Sequence, residues 1–297
     1  MGALMQLWWM PLMLSAAVTA VGLWLLLSRL SQFALDTPNH RSLHEVPVPR
    51  TGGWAILGGV SVGILVAGVD FSAGAAIAFF LLLAVSLADD LRSLSARFRF
   101  VAQISSVTLL SISLEPELSH WLLWIPLVVT GVWVVNLYNF MDGMDGFAGS
   151  MSAIGFGALG LICLREEAGE LAGICFLLAA SSVVFLYYNW PQARIFMGDA
   201  GSTVIGLAVF AVSTAGWQRG VFDLVVPLLI FLPFWLDATL TLLARGAKGE
   251  RWWEPHRQHL YQRAALKLGV KTALFLEMTV MLCTSAAALL LVIFGLV

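Results

Sequence analysis

Asn136, Asn139, Asp142 and Asp145 recur every three residues along N-L-Y-N-F-M-D-G-M-D-G, Asn136 to Gly146. On a straight α-helix each such step falls about 60° short of a full turn, so the four side chains fan over about 180°. They converge only if the helix tightens to 3₁₀ or breaks, and Gly143 and Gly146 are placed to allow the break. Oxygen donors without sulfur or imidazole suit a hard cation such as Mg²⁺. Helix capping plus a tight turn is the plainer alternative, and it leaves two carboxylates at the foot of an apolar run unexplained. Asp89 and Asp90 end another apolar run. Adjacent helix positions differ by about 100°, so one of this pair can point into a site while the other caps or orients. Asp199 stands between Gly198 and Gly201 in N-W-P-Q-A-R-I-F-M-G-D-A-G-S, Asn189 to Ser202. Glycines let backbone approach a ligand closely, and the helix start that follows favours anions. An N-cap role for Asp199 or Ser202 competes with that.

Basic groups accompany these carboxylates. Arg41, His44, Arg50 and Thr51 lie in D-T-P-N-H-R-S-L-H-E-V-P-V-P-R-T-G-G, Asp36 to Gly53, whose prolines and glycines exclude a helix. They either meet phosphate or form a solvated loop. The segment Arg245 to Lys271 contains W-W-E-P-H-R-Q-H-L-Y-Q-R. Pro255 is placed to start a short helix and Gly269 to end it. His256 and His259 share a face at i, i+3. With basic residues such as Arg257 around them and no obvious third ligand, they suit diphosphate better than metal. Trp252 and Trp253 read as an interface belt. Asp237 sits about two turns inside its apolar run, either as a functional carboxylate or paired with Arg245. Cys163, Cys175 and Cys283 show no disulfide or zinc spacing and read as small buried hydrophobes.

What must hold these residues is a membrane fold. Of 297 residues, 60% are apolar and 11% charged, against about 25% charged in an ordinary soluble domain. That excludes a soluble enzyme and a disordered chain. A net charge of −2 argues against a nucleic-acid partner. Apolar runs at 7–30, 54–69, 72–88, 100–114, 120–136, 147–164, 171–188, 201–216, 223–244 and 271–296 predict about ten transmembrane helices in one all-α polytopic domain, 1–297. Connecting segments 31–53, 89–99, 137–146, 189–200 and 245–270 fall on one side. Fourteen of the sixteen Lys and Arg residues lie in or within two residues of them, leaving Arg165 and Arg219 for the other side. The positive-inside rule makes those five segments cytoplasmic and both termini periplasmic. All the motif carboxylates fall on that same side. Carboxylates for a divalent cation and basic groups for phosphate are the equipment of phosphoryl transfer. No Walker A or Gly-rich ATP loop is present, and a site at the membrane edge suggests a lipid substrate.

The sequence resembles the polytopic polyprenyl-phosphate N-acetylhexosamine-1-phosphate transferases. The match runs in order through the Asp36–Gly53 segment, A-D-D-L, N-L-Y-N-F-M-D-G-M-D-G, F-M-G-D-A-G-S and P-H-R-Q-H. The resemblance implies transfer of a sugar-1-phosphate from a UDP-sugar to undecaprenyl phosphate, with release of UMP and dependence on Mg²⁺ or Mn²⁺. It implies that Asp199 and Asn139 ligate the metal and that Asp89 or Asp90 deprotonates or orients the lipid phosphate. It gives Asp142 and Asp145 to catalysis and, with Asn136, to shaping the nucleotide-sugar site. Arg41, Arg50, Thr51, Arg99, Asn189, His256, Arg257 and His259 become substrate contacts. The His segment departs from the His-His-His form of the muramyl-pentapeptide branch. That departure and the short chain look more like the branch initiating O-antigen, with UDP-GlcNAc or a 6-deoxy relative (FucNAc, QuiNAc) as donor. The setting implied is the bacterial inner membrane, and a homodimer is one assembly compatible with it. Within the family the muramyl-pentapeptide reading competes; from other classes, so do a transporter, whose site would lie at mid-bilayer between repeats, and a non-catalytic membrane scaffold, which would not need Asp89, Asp142 and Asp199 together.

Overall fold

In a bilayer every backbone polar group must be bonded within the protein, which makes apolar runs helical. The computed structural model describes residues 2–38, 43–92, 94–114, 121–250 and 256–297. Among them are α1 (Gly2–Arg29), α2 (Gly52–Ala67), α3 (Ala73–Arg92), α4 (Ala96–Leu114), α5 (Trp124–Phe140), α6 (Phe147–Arg165), α7 (Gly169–Asn189), α8 (Gly198–Gln218), α9 (Val225–Ile230), α10 (Leu232–Ala247), α11 (Leu260–Leu268) and α12 (Val270–Ile293). Six of these, α1 from Trp8 onward, α3, α6, α7, α8 and α12, are long and apolar enough to cross a membrane, and α2 and α5 are shorter apolar helices. Leu65, Phe80, Val129, Leu243 and Phe294 point outward. Such an apolar perimeter suits lipid rather than water. The architecture is that of an all-helical integral membrane protein.

The helix α8 is the centre. Its sequence G-D-A-G-S-T-V-I-G-L-A-V-F-A-V-S-T-A-G is rich in small residues, and nearly all of them are buried. Small side chains let helices approach closely where no hydrophobic drive separates protein from lipid. Accordingly α8 packs against α2, α3, α4, α5, α6 and α7. Hydroxyl pairs tie the surrounding helices together. Ser15 and Ser181 lie 2.8 Å apart between α1 and α7, and Tyr138 and Ser152 lie 2.6 Å apart between α5 and α6.

Three local expectations change. The expected run 223–244 is two helices broken at Phe231, because Pro233 has no N–H for the preceding turn and its ring clashes there. The Trp235 indole N–H takes up the Leu228 carbonyl at 2.8 Å. The segment 31–53 is not wholly irregular. Its Leu35–Asp36 pairs antiparallel with Val48–Pro49, and Gly52 and Gly53 already belong to α2. Cys163 and Cys175 are buried as expected, but Cys283 is exposed on α12.

Candidate active site

The motif residues come from seven places in the chain and meet at one end of the bundle: the C-terminal ends of α3, α5 and α7, the N-terminal ends of α2, α4 and α8, and the segment leading into α11. The helix α5 ends at Phe140, and a turn leads to α6 through Gly146 with φ +75°. The break expected near Gly143 and Gly146 is therefore what lets the every-third-residue series converge. Asn139 and Asp142 both reach the site, although a straight helix would separate them.

The two adjacent carboxylates have different surroundings. Asp90 accepts the backbone N–H groups of Asp199 (2.9 Å) and Ala200 (3.2 Å) and the Trp54 indole N–H (3.1 Å). It caps the start of α8, where orphan N–H groups and the helix dipole favour a negative charge. Asp89 accepts the Leu94 N–H at 2.5 Å and pairs with the Arg99 guanidinium at 3.1 Å. Arg50 donates to the Asp90 carbonyl at 2.9 Å and so satisfies the end of α3. Asn139 donates to Asp199 Oδ1 (2.5 Å) and Ser202 Oγ (2.9 Å), which leaves its amide oxygen for a ligand. Asp142 accepts the Gly198 N–H. Its burial, then the Asp199 and Asp90 charges, push its carboxyl well above the usual range.

Two cavities meet here. One, of about 320 Å³, is polar and is bounded by Asp36, His44, Arg50, Asp142, Asp145 and Gln262. The other, of about 730 Å³, runs between apolar side chains such as Val85, Phe100, Ile104, Val129, Trp133 and Leu242. Asp89, Arg99, Gln103 and Asn136 are among the polar groups that line it besides those shared with the first. Asn139, Asp199 and His256 line both cavities.

Not every expected contact lies in a cavity wall. Asn189 is buried and bridges two loops, accepting from Gly146 N (2.9 Å) and donating to the Ile195 carbonyl (2.9 Å). It holds the site's frame and lines neither cavity. Thr51 is likewise buried outside both. Asp145 reaches the polar cavity, and its Oδ2 also accepts the Gln192 and Ala193 N–H groups, each at 3.0 Å. Arg257 is exposed. His259 is buried beneath His256, with ring centroids 4.8 Å apart. Arg41, Trp252, Trp253 and Pro255 lie outside the described residues. Asp237 does not take Arg245, which pairs with Glu250 at 2.6 Å. Sequence reasoning missed Trp54, Gln103 and Gln262. Gln103, which accepts from Asn136 at 2.7 Å, was legible as a lone amide in an apolar helix. The other two carried no such signal.

His256 is held uncharged. Burial, then the nearby His259 and Arg245, lower its pKa from 6.5 to about 4. The unfolded chain binds this proton more readily, so the contribution to stability is complete above about pH 6.5 and is lost as the pH falls towards 4. We expect the His256 resonance in ¹³C-histidine NMR, assigned with His256→Asn, to titrate near pH 4. Titration at an ordinary histidine value would contradict the burial.

Fold and site define a polytopic helical membrane protein with a carboxylate-rich centre where an apolar groove meets a polar cavity. Comparison with known proteins gives the family. Residues 72–216, α3 to α8, match Glycosyl transferase family 4. The decaprenyl-phosphate N-acetylglucosaminephosphotransferase of Mycolicibacterium smegmatis is 31% identical over 77% of this chain and 68% of its own length. The probable undecaprenyl-phosphate N-acetylglucosaminyl 1-phosphate transferase of Bacillus subtilis is 29% identical over 77% and 69%. The undecaprenyl-phosphate alpha-N-acetylglucosaminyl 1-phosphate transferase of Escherichia coli is 27% identical over 86% and 74%. The chain belongs to the polyprenyl-phosphate N-acetylglucosamine-1-phosphate transferase family.

Proposed function

We propose that the protein transfers an N-acetylaminosugar-1-phosphate from a UDP-sugar to undecaprenyl phosphate, giving undecaprenyl-diphosphate-sugar and UMP, as the first lipid-linked step of a surface polysaccharide such as O-antigen. The observation that carries this is the junction of the two cavities at Asn139, Asp199 and His256. A polyprenyl chain fits the apolar groove, a nucleotide diphosphate fits the polar cavity, and their phosphates then meet at the shared residues. An oxygen of the lipid phosphate attacks the phosphorus that bears the sugar. The bond from that phosphorus to UMP breaks, and UMP leaves with the bridging oxygen.

The chain's own groups divide the work. Asp89 holds Arg99 in the wall of the groove, where the guanidinium can orient the incoming phosphate. Arg50 and His256 face the donor side, and neutral His256 hydrogen-bonds the diphosphate rather than pairing with it as a cation. Asp90 and Asn189 hold the frame. The donor set fits a hard divalent cation. Asp89, Asp142 and Asp199 gather acidic oxygens near the Arg99 guanidinium, a cation there would offset the like charge that raises the Asp142 carboxyl, and all the donors are oxygen. Among the described residues no three His, Cys, Asp or Glu side chains cluster at metal-ligand spacing. Mg²⁺, or Mn²⁺, held by one or two carboxylates with water and substrate phosphate needs no such cluster; Asp199 and Asn139 would hold it. When bound, the cation supplies neutralisation of the charge on the diphosphate. With fourteen basic residues on the site's side, we place this end in the cytoplasm and the protein in the bacterial inner membrane.

The test is an assay with purified protein, undecaprenyl phosphate, Mg²⁺ and UDP-GlcNAc, UDP-FucNAc or UDP-QuiNAc. A lipid-linked sugar and equimolar UMP are expected with at least one donor. Folded protein that makes neither with any donor ends the proposal.

A further inference from the structure

Asp237 lines neither cavity, yet its carboxylate is buried within α10, and such a group needs a reason to be there. Its partners supply one. Oδ1 accepts the Leu260 N–H at 2.8 Å and the Thr241 hydroxyl at 3.0 Å, and it lies 3.3 Å from His259 Nδ1. Oδ2 accepts the Tyr261 N–H at 2.9 Å. The carboxylate thus caps the first turn of α11 from another helix and fixes the ring of the residue just before it. The contacts continue towards the site. The His259 ring packs against His256, with Phe140 and Tyr261 beside it. The Tyr261 hydroxyl donates to the Phe140 carbonyl at 3.1 Å, which pins the same segment to the end of α5. His256, at the end of this chain of contacts, is the only imidazole among the described residues that lines both cavities.

We propose that Asp237 is a positioning residue, with His259 as its intermediary: by clamping the start of α11 onto α10 it presents His256 at the junction of the two cavities. The inference rests on the proposed function for its kinetic consequence but not for the clamp itself. Behind a metal ligand such a hydrogen-bonded partner contributes roughly ten- to a hundredfold in affinity or activity, and the lower end of that range is the scale expected behind His256. An acceptor serving two backbone N–H groups, a hydroxyl and an imidazole cannot be replaced by an amide, which presents one oxygen and one donor.

The experiment compares wild type, Asp237→Asn, His256→Ala and the double variant, each in lipid nanodiscs. Hydrogen exchange is followed over 256–268, and turnover is followed with UDP-GlcNAc and undecaprenyl phosphate. Asp237→Asn is expected to speed exchange across the first turn of α11 and to raise the donor KM about tenfold, with a smaller change in kcat. In the His256→Ala background its further effect on KM falls below about twofold, because the two residues act as one unit. Unchanged exchange overturns the clamp, and independent, multiplicative effects on KM overturn the route through His256. Should Asp237→Asn not fold, Thr241→Val removes one of the four bonds and shifts both readouts in the same direction by less. If wild type is inactive with every donor, the proposed function fails while the exchange result still decides the clamp.

Discussion

Asp199→Asn is expected to lower turnover by about a thousandfold or more while leaving the protein folded and in the membrane. The magnitude is that of removing one preorganised electrostatic group from a site where charge stabilisation carries the reaction. The substitution isolates chemistry from architecture. An asparagine at 199 keeps the shape, and its carbonyl oxygen can still accept the Asn139 N–H that now reaches Asp199 Oδ1. The Asp199 backbone N–H stays on Asp90, and the Thr203 hydroxyl stays on the Asp199 carbonyl at 2.6 Å. What is lost is the negative charge and one of two carboxylate oxygens, the donors a hard cation requires. The check is turnover alongside the thermal melt in detergent. An unchanged melt with lost turnover is the expected pair, and near-normal turnover would remove Asp199 from the metal-binding role.

Gly53→Ala should be strongly damaging for so small a substitution. A Cβ at Gly53 would stand 2.2 Å from Gly201 Cα, 2.5 Å from Gly201 N and 2.7 Å from the Met197 carbonyl. These are backbone atoms, so no side chain can swing away. The start of α2 lies directly on the start of α8, joined by Gly52 N–H to the Phe196 carbonyl and Gly53 N–H to the Met197 carbonyl, both 2.8 Å. Relieving the clash means separating the two helix starts. Overpacking of this kind costs about 1–3 kcal/mol or more, and a displacement of about 1 Å at a reacting centre costs about a hundredfold in rate. Asp199 is two residues from Gly201, so we expect a lowered melting temperature and a loss of turnover together. Gly58→Ala is the control on the same helix. Nothing lies within 4 Å of its Cβ position, and alanine gains up to about 1 kcal/mol in helix propensity. A Gly53→Ala protein that melts and turns over like wild type would show that the two starts do not touch in this way.

The two substitutions differ in how far the sequence foretells them. Asp199 was visible beforehand: a carboxylate between two glycines, just before an apolar run, is a local pattern. So were the apolar runs, the one-sided basic residues and the break after Asn139, since each depends on a few neighbouring residues and on the water–lipid contrast. Gly53 was not visible as a contact. Its partner Gly201 is far along the chain, and only the packing of α2 on α8 brings them together. The same holds for Asp89 and Asp90. Sequence logic says that adjacent carboxylates must diverge, but it cannot say which one turns towards α8.

Asn189 shows what the sequence does not tell about a motif residue. A polar residue at a motif boundary reads as a substrate contact, and in the fold both ends of its amide join two loops. Asp237 reads from the sequence as either paired with Arg245 or functional, and the fold gives it other partners, the His259 ring, the Thr241 hydroxyl and two backbone amides, which become available only once α11 folds back onto α10. The sequence by itself determined that this is a helical membrane protein and which residue types stand at the ends of its apolar runs, because hydrophobic partition and charge placement act on composition and short spacing. Only the tertiary structure decided which carboxylates face a cavity and which cap a helix, because a buried carboxylate takes its role from donors that distant helices bring within 3 Å or so of it.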